Sequence, residues 1–197
     1  MRAIKEYISN PSRTFKGLGY HIITSLVPFL SDSLYLKLIF RNRLGYSLNL
    51  ENPKSFNEKI QWLKLESRKH PEYTKMVDKV SAKDYVSSII GEEYIIKTLG
   101  VWNSVDEIEW DKLPNQFCIK SSNDSGGVVV CKNKATLNIE SAKKKLSALG
   151  SRDYTKYNKE FPYRNVPRRI IAEEYKEDES GFELKDYKIF CFGGKPE

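Results

Sequence analysis

The hydrophobic period of this chain changes at Gly91, and that change restricts the fold more than any other feature. Before it, apolar residues recur at helical spacing. Ser55-Phe56-Asn57-Glu58 is a capping box, whose Ser and Glu side chains reach back to orphan N–H groups of the first turn. Phe56, Ile60 and Leu63 then share one face at i, i+4 and i+7. Residues 31–43 read as another helix, with Ser31 or Ser33 as cap, Leu34, Leu38 and Phe40 as apolar positions and Gly45 as stop. A further helix covers 72–90, with Tyr73, Val77 and Val80 inward. After Gly91, short apolar runs take over. Residues 94–99, 116–121, 127–131, 170–175 and 186–192 read as strands, and 139–149, capped by Asn138 and stopped by Gly150, as a helix. The continuous Gly-Val-Val-Val-Cys run ending at Cys131 predicts a strand buried on both faces. Helices first, then strands with a helix between them, give an α+β chain.

Composition supports a packed core. Hydrophobic residues make up 40% and aromatic ones 12%, which excludes a wholly disordered chain. The formal charge is +7, unevenly placed: residues 1–50 carry +5 and the remaining 147 only +2. A basic extension of this kind can dock on anionic lipid or another polyanion, or be a solvated helix face. The most apolar stretch, 22–40, is interrupted by Ser25, Pro28, Ser31, Asp32, Ser33 and Lys37, so it is no spanning helix. It reads as a packed helix pair or as a segment lying on a membrane surface. Cys118, Cys131 and Cys191 each sit in an apolar run without metal-ligand spacing, which suggests free thiols in a reducing cytosol. His21 and His70 are the only histidines, and neither has a metal-like neighbour. Lys143-Lys144-Lys145 and Arg168-Arg169 make only a weak nucleic-acid signal.

Two constellations could carry chemistry. In the first, a strand bearing Lys120 runs into Ser121-Ser122-Asn123-Asp124-Ser125-Gly126-Gly127, and an apolar strand returns. Small residues let the backbone approach a ligand, successive N–H groups can form an anion nest, and a lysine supplies a point charge for phosphate. An ordinary hairpin with no ligand fits the same residues. No Walker A sequence occurs. In the second, Glu173 and Glu174 end an apolar strand beside Tyr175, and Asp186 opens the next. Such carboxylates can accept from ribose hydroxyls or an exocyclic amine, or stand in a solvated turn.

Taken in chain order, these pieces resemble the ATP-grasp fold, and within it the TupA-like family linked to teichuronopeptide and other bacterial surface-polysaccharide biosynthesis. The residues that carry the resemblance begin with Ser-Phe-Asn-Glu-Lys-Ile-Gln-Trp-Leu-Lys from Ser55 to Lys64, Asp78-Lys79, and Tyr94 to Trp102. Leu113-Pro114 with Lys120, Asp124-Ser125-Gly126-Gly127-Val128, Ile171 to Tyr175, and Asp186-Tyr187-Lys188 continue it. The similarity covers about residues 50–197. It implies an ATP-grasp nucleotide-binding region with mainly antiparallel sheets at 93–197, a helical lead-in at 50–92 and a basic helical extension at 1–49.

The resemblance also implies roles. Lys79 and Lys120 would contact the nucleotide, Lys120 at the α- and β-phosphates. Ser125, Gly126 and Gly127 would cover the phosphates, Glu173, Glu174 and Tyr175 would meet the adenine, and Asp186 would hold the ribose. Lys188 matches a basic residue near the phosphates and is the candidate catalytic group. Asn123 stands where relatives often have His before the Asp. ATP is the implied cofactor, with Mg²⁺ whose acidic ligands are expected beyond residue 197, so the chain reads as an incomplete ATP-grasp fold.

The implied activity is a carboxylate–amine ligase acting on a carboxylate-bearing sugar or amino acid, in the cytoplasm or at the inner face of the membrane. A fragment of this kind would turn over poorly or not at all. Two alternatives are a peripheral membrane or scaffold protein with a degenerate nucleotide fold, touching anionic lipid through residues 1–45, and a glycosyltransferase of the same pathway.

Overall fold

The structure, a computed structural model, describes residues 11–124, 127–148, 153–181 and 184–196. It opens with two helices, α1 (Pro11–Ser25) and α2 (Asp32–Leu44), which pack on each other as a hairpin. Asn42 Nδ2 donates to the Lys16 carbonyl at 2.9 Å, and a Cβ at Gly19 would come within 2.6 Å of Asn42 Oδ1, so the helices meet at a glycine. Ser31 caps α2 as expected, accepting from the Leu34 N–H. Gly45 ends it with a φ of +84°, in the left-handed region where a side chain would be strained. Tyr35, Leu36 and Phe40 are buried, while Leu34, expected inward, is exposed. Leu36 and Phe40 join Leu48 in a small core.

The expected capping box is present. Ser55 Oγ accepts from the Glu58 N–H, and the Glu58 carboxylate accepts from the backbone of Asn49, Lys54 and Ser55. Those bonds hold the Glu58 carboxyl down to about 2. The helix they start, α3 (Phe56–Glu66), buries Glu58 and leaves Phe56, Ile60, Trp62 and Leu63 exposed, so the predicted apolar face is not a core face.

The helix expected over 72–90 is two helices, α4 (Tyr73–Val77) and α5 (Ser81–Ile90). Asp78 breaks it. Its backbone is extended, and its carboxylate accepts from the Val80 N–H, the Ser81 N–H and the Ser81 hydroxyl, the work of a helix cap.

The strand expected over 94–99 is shifted. Glu92–Tyr94 is a single 3₁₀ turn, and β1 runs Thr98–Trp102. The main sheet is completed by β2 (Phe117–Ser121), β3 (Val128–Cys131) and, after α6 (Ile139–Ser147) and the short α7 (Tyr154–Tyr157), β4 (Ile170–Glu174). Its order is β1-β4-β2-β3, with every neighbouring pair antiparallel. The fold is therefore mixed α+β with antiparallel sheets. Asn138 caps α6 as the sequence suggests, and Gly150 lies outside the described residues.

Antiparallel partners share a face. One face of the sheet carries Phe117, Ile119, Val129, Cys131, Ile170 and Ala172, packed with Trp110, Ala142 and Leu146 into the main core. Full burial of a side chain such as Phe117 or Ile119 stabilises the fold by about 1.5–3 kcal/mol. β3 corrects one expectation. It is an edge strand, so its burial alternates and Val128 and Val130 are exposed. The strand expected over 186–192 shrinks to β5 (Cys191–Phe192), paired with β6 (Lys195–Pro196). Gly193 and Gly194 turn between them with φ of +58° and +80°, both in the region glycine tolerates.

Candidate functional site

The second face of the sheet carries Val101 and Ile171, Cys118 opposite Glu173, Lys120 opposite Ile171, and Val128 and Val130. At its centre Glu173 is buried and accepts from two lysines. Lys83 Nζ, from α5, lies 2.7 Å from Oε1, and Lys120 Nζ, from β2, bonds Oε2. Burial alone would push the Glu173 carboxyl up, but the Lys120 and Lys83 bonds outweigh it and hold the group below its ordinary value. Lys83 also donates to the Ile96 carbonyl.

Lys79 enters from the break between α4 and α5. Its N–H donates to the Ser122 carbonyl at 3.2 Å, and its ammonium donates to the carbonyls of Ser122 and Asp124. Burial, and then the Lys120 charge beside it, hold the Lys79 ammonium below its usual pKa. Three ammonium groups thus gather around Glu173, and with the Asp78 and Asp124 carboxylates and the Arg169 guanidinium beside them the cluster holds four formal positive charges against three negative ones.

The loop after β2 is built onto this cluster. Ser122 is fully buried: its N–H donates to the Arg169 carbonyl at 2.7 Å, its hydroxyl donates to the Pro167 carbonyl at 2.9 Å, and the Arg169 N–H donates to that hydroxyl at 3.1 Å. The Arg169 guanidinium pairs with buried Asp78, so the residue that breaks the helix also ties it to β4. Ser121 Oγ donates to Asn123 Oδ1 at 2.8 Å, and Tyr154 donates its hydroxyl proton to Asp124. The loop leaves this anchored stretch at Asp124 and returns at buried Gly127; Ser125 and Gly126 lie outside the described residues.

Lys79, Lys120, Glu173 and the loop segment around Asp124 are therefore together. Glu174 and Tyr175 are adjacent in the chain but point elsewhere: Glu174 pairs with Lys176 at 3.0 Å, and the Lys132 ammonium sits 5.7 Å from the Tyr175 ring centroid. Asp186 and Lys188 lie in the exposed, irregular run 184–190, and among the described residues no hydrogen bond or ion pair joins either to the lysine cluster. Sequence reasoning passed over Lys83 and Tyr154, and gave Asp78 and Ser122 no role of their own. Lys83 follows Lys79 by four residues, a spacing that could have been read as a shared face. Tyr154 gave no signal.

A family model described as TupA-like ATPgrasp matches residues 58–197. The chain belongs to the TupA-like ATP-grasp family. Neither the search of curated proteins nor the search of solved structures found a match. ATP-grasp domains in general bind ATP and Mg²⁺. In this TupA-like chain the ammonium groups of Lys79 and Lys120, beside a loop of small residues, are a donor set that fits phosphate oxygens. No fit for Mg²⁺ is found: no group of three His, Cys, Asp or Glu able to hold a metal occurs among the described residues. Nor is any helix among them long and apolar enough to cross a membrane.

Proposed function

We propose that this TupA-like ATP-grasp chain binds ATP on the second face of its main sheet, as part of a carboxylate–amine ligase in bacterial surface-polysaccharide biosynthesis. The observation that carries the reading is the convergence of Lys79, Lys83 and Lys120 on one side of the sheet around Glu173, next to the Ser122–Asp124 loop segment. Bound ATP supplies the phosphoryl group that activates a carboxylate oxygen, so that an amine can displace phosphate and form an amide.

The chain's own residues prepare that site. Lys120 and Lys79 set positive charge where phosphate oxygens would lie, and fixed charges of this kind need no reorganisation when charge develops. Glu173 acts as a positioning residue, holding Lys120 and Lys83 to the sheet. Exposed Val128 and Val130 offer an apolar surface beside them on which a purine could lie. Glu174, Tyr175, Asp186 and Lys188 take their proposed adenine, ribose and phosphate roles from the family pattern alone. The substrate would be a carboxylate-bearing sugar or amino acid. The thiols of Cys118, Cys131 and Cys191 are free, which suits a cytoplasmic setting.

The test is nucleotide-induced thermal stabilisation. Wild-type protein should gain a clear upward shift in melting temperature with ATP, and Lys120→Met should lose most of it while keeping the unliganded melting temperature within a few degrees. No shift in the wild type, or an equal shift in the variant, would sink the assignment.

A further inference from the structure

The hairpin of α1 and α2 lies ahead of the family match, which begins at residue 58. The side of α1 toward α2 is accounted for, with Gly19 against Asn42 and the Arg43 guanidinium over the Tyr20 ring. The outer side is not. Leu18, Ile22 and Leu26, spaced i, i+4 and i+8, are 58%, 54% and 45% exposed, and Phe29 in the connecting turn is 84% exposed. A stripe of this regularity differs from the single exposed apolar residues normal on a soluble surface. On α2 the exposed residues Leu34, Lys37, Arg41 and Leu44 succeed one another at helical spacing.

Within the hairpin the charge that is not already paired has one sign. Asp32 is the sole acidic residue between positions 11 and 50, and its carboxylate is spoken for: Lys159 Nζ lies 2.7 Å from it, and Arg68 pairs with its other oxygen. Lys16, Lys37, Arg41 and Arg43 are exposed. We propose that this hairpin seats the protein on an anionic lipid bilayer. Leu18, Ile22, Leu26 and Phe29 enter the boundary between headgroups and acyl chains, and Lys37 and Arg41 meet acidic headgroups. A soluble polyanion would use the cations but give the apolar stripe nothing. A second copy of the chain would cover the stripe but bring like charges together. A lipid surface satisfies both, and with no spanning helix among the described residues the protein would lie on it.

This inference goes beyond the nucleotide site and is tested apart from it. The full chain should float with phosphatidylglycerol-containing vesicles and not with pure phosphatidylcholine, and salt should weaken the association. L18S/I22S/F29S and K37E/R41E should each lower the vesicle-bound fraction about tenfold or more, since each removes one of the two attractions. Both variants alter exposed residues, and each should keep the wild-type circular dichroism and ATP-induced thermal shift. The proposal is overturned if the full chain stays unbound with anionic vesicles, or if the serine variant binds them as the wild type does. It is equally overturned if the serine variant instead dissolves a dimer seen by light scattering.

Discussion

Glu173 shows how one buried side chain can gather cations on the open face of a sheet. It sits on the sheet face opposite the core, is nearly inaccessible, and gathers Lys83 and Lys120. Its carboxyl lies below the ordinary value of 4.5, so it binds a proton less readily folded than unfolded. Its contribution to stability is therefore present above the ordinary carboxylate pKa and is lost as pH falls through the lower folded value. Glu173→Gln should lower the melting temperature near pH 7, and the gap from wild type should close as the pH falls below the ordinary carboxylate range, followed by thermal melts across pH. At this scale the sequence was partly legible. Lys120 and Glu173 stand out as charged residues near the ends of apolar runs, and Lys79 through the family resemblance. That Glu173 would turn to two lysines rather than outward was not legible. Its partners come from α5 and β2, and only the sheet register brings them together.

Among the elements, the capped ones were read best, because a cap is a local interaction. Ser31, Ser55 and Asn138 all stand where the sequence put them, at helix starts. Errors arose where a neighbour decides. The Val128–Cys131 run is apolar throughout, and apolarity alone cannot distinguish a doubly buried strand from an edge strand with one open face. The structure makes β3 an edge, with Val129 inward and Val130 outward. Val129→Thr should cost about 1–3 kcal/mol by placing a hydroxyl in the core, whereas Val130→Thr should stay within about 0.5 kcal/mol of wild type. Equal costs by urea denaturation would mean the face assignment of β3 is wrong. Asp78 is the same lesson in a helix. Its neighbours continue a helical pattern, yet a carboxylate offered free N–H groups two and three residues on ends one helix and starts another.

Over the whole molecule, the N-terminal helices are stitched to the later part of the chain by a few long-range polar bonds. The Tyr35 hydroxyl donates to the Tyr157 carbonyl at 2.9 Å, Thr74 Oγ1 donates to the Pro162 carbonyl at 3.0 Å, and Arg169 pairs with Asp78 across 91 residues of sequence. The last of these is the most buried, and removing one partner strands the other. Asp78→Ala should cost on the order of 3 kcal/mol, and far-UV and near-UV signals should fall together in one transition, because the pair joins both parts. Separate transitions for helix and sheet signals would refute that coupling.

The crowding of Lys79, Lys83 and Lys120 has a consequence for anyone handling this protein. Clustered cations attract counter-ions, so small anions in the buffer become silent partners of the folded state. Sulfate or inorganic phosphate bound at these lysines would stabilise the protein by mass action. They would also mask the nucleotide they imitate, so an apparent affinity belongs to the ionic composition of the solution as much as to the chain.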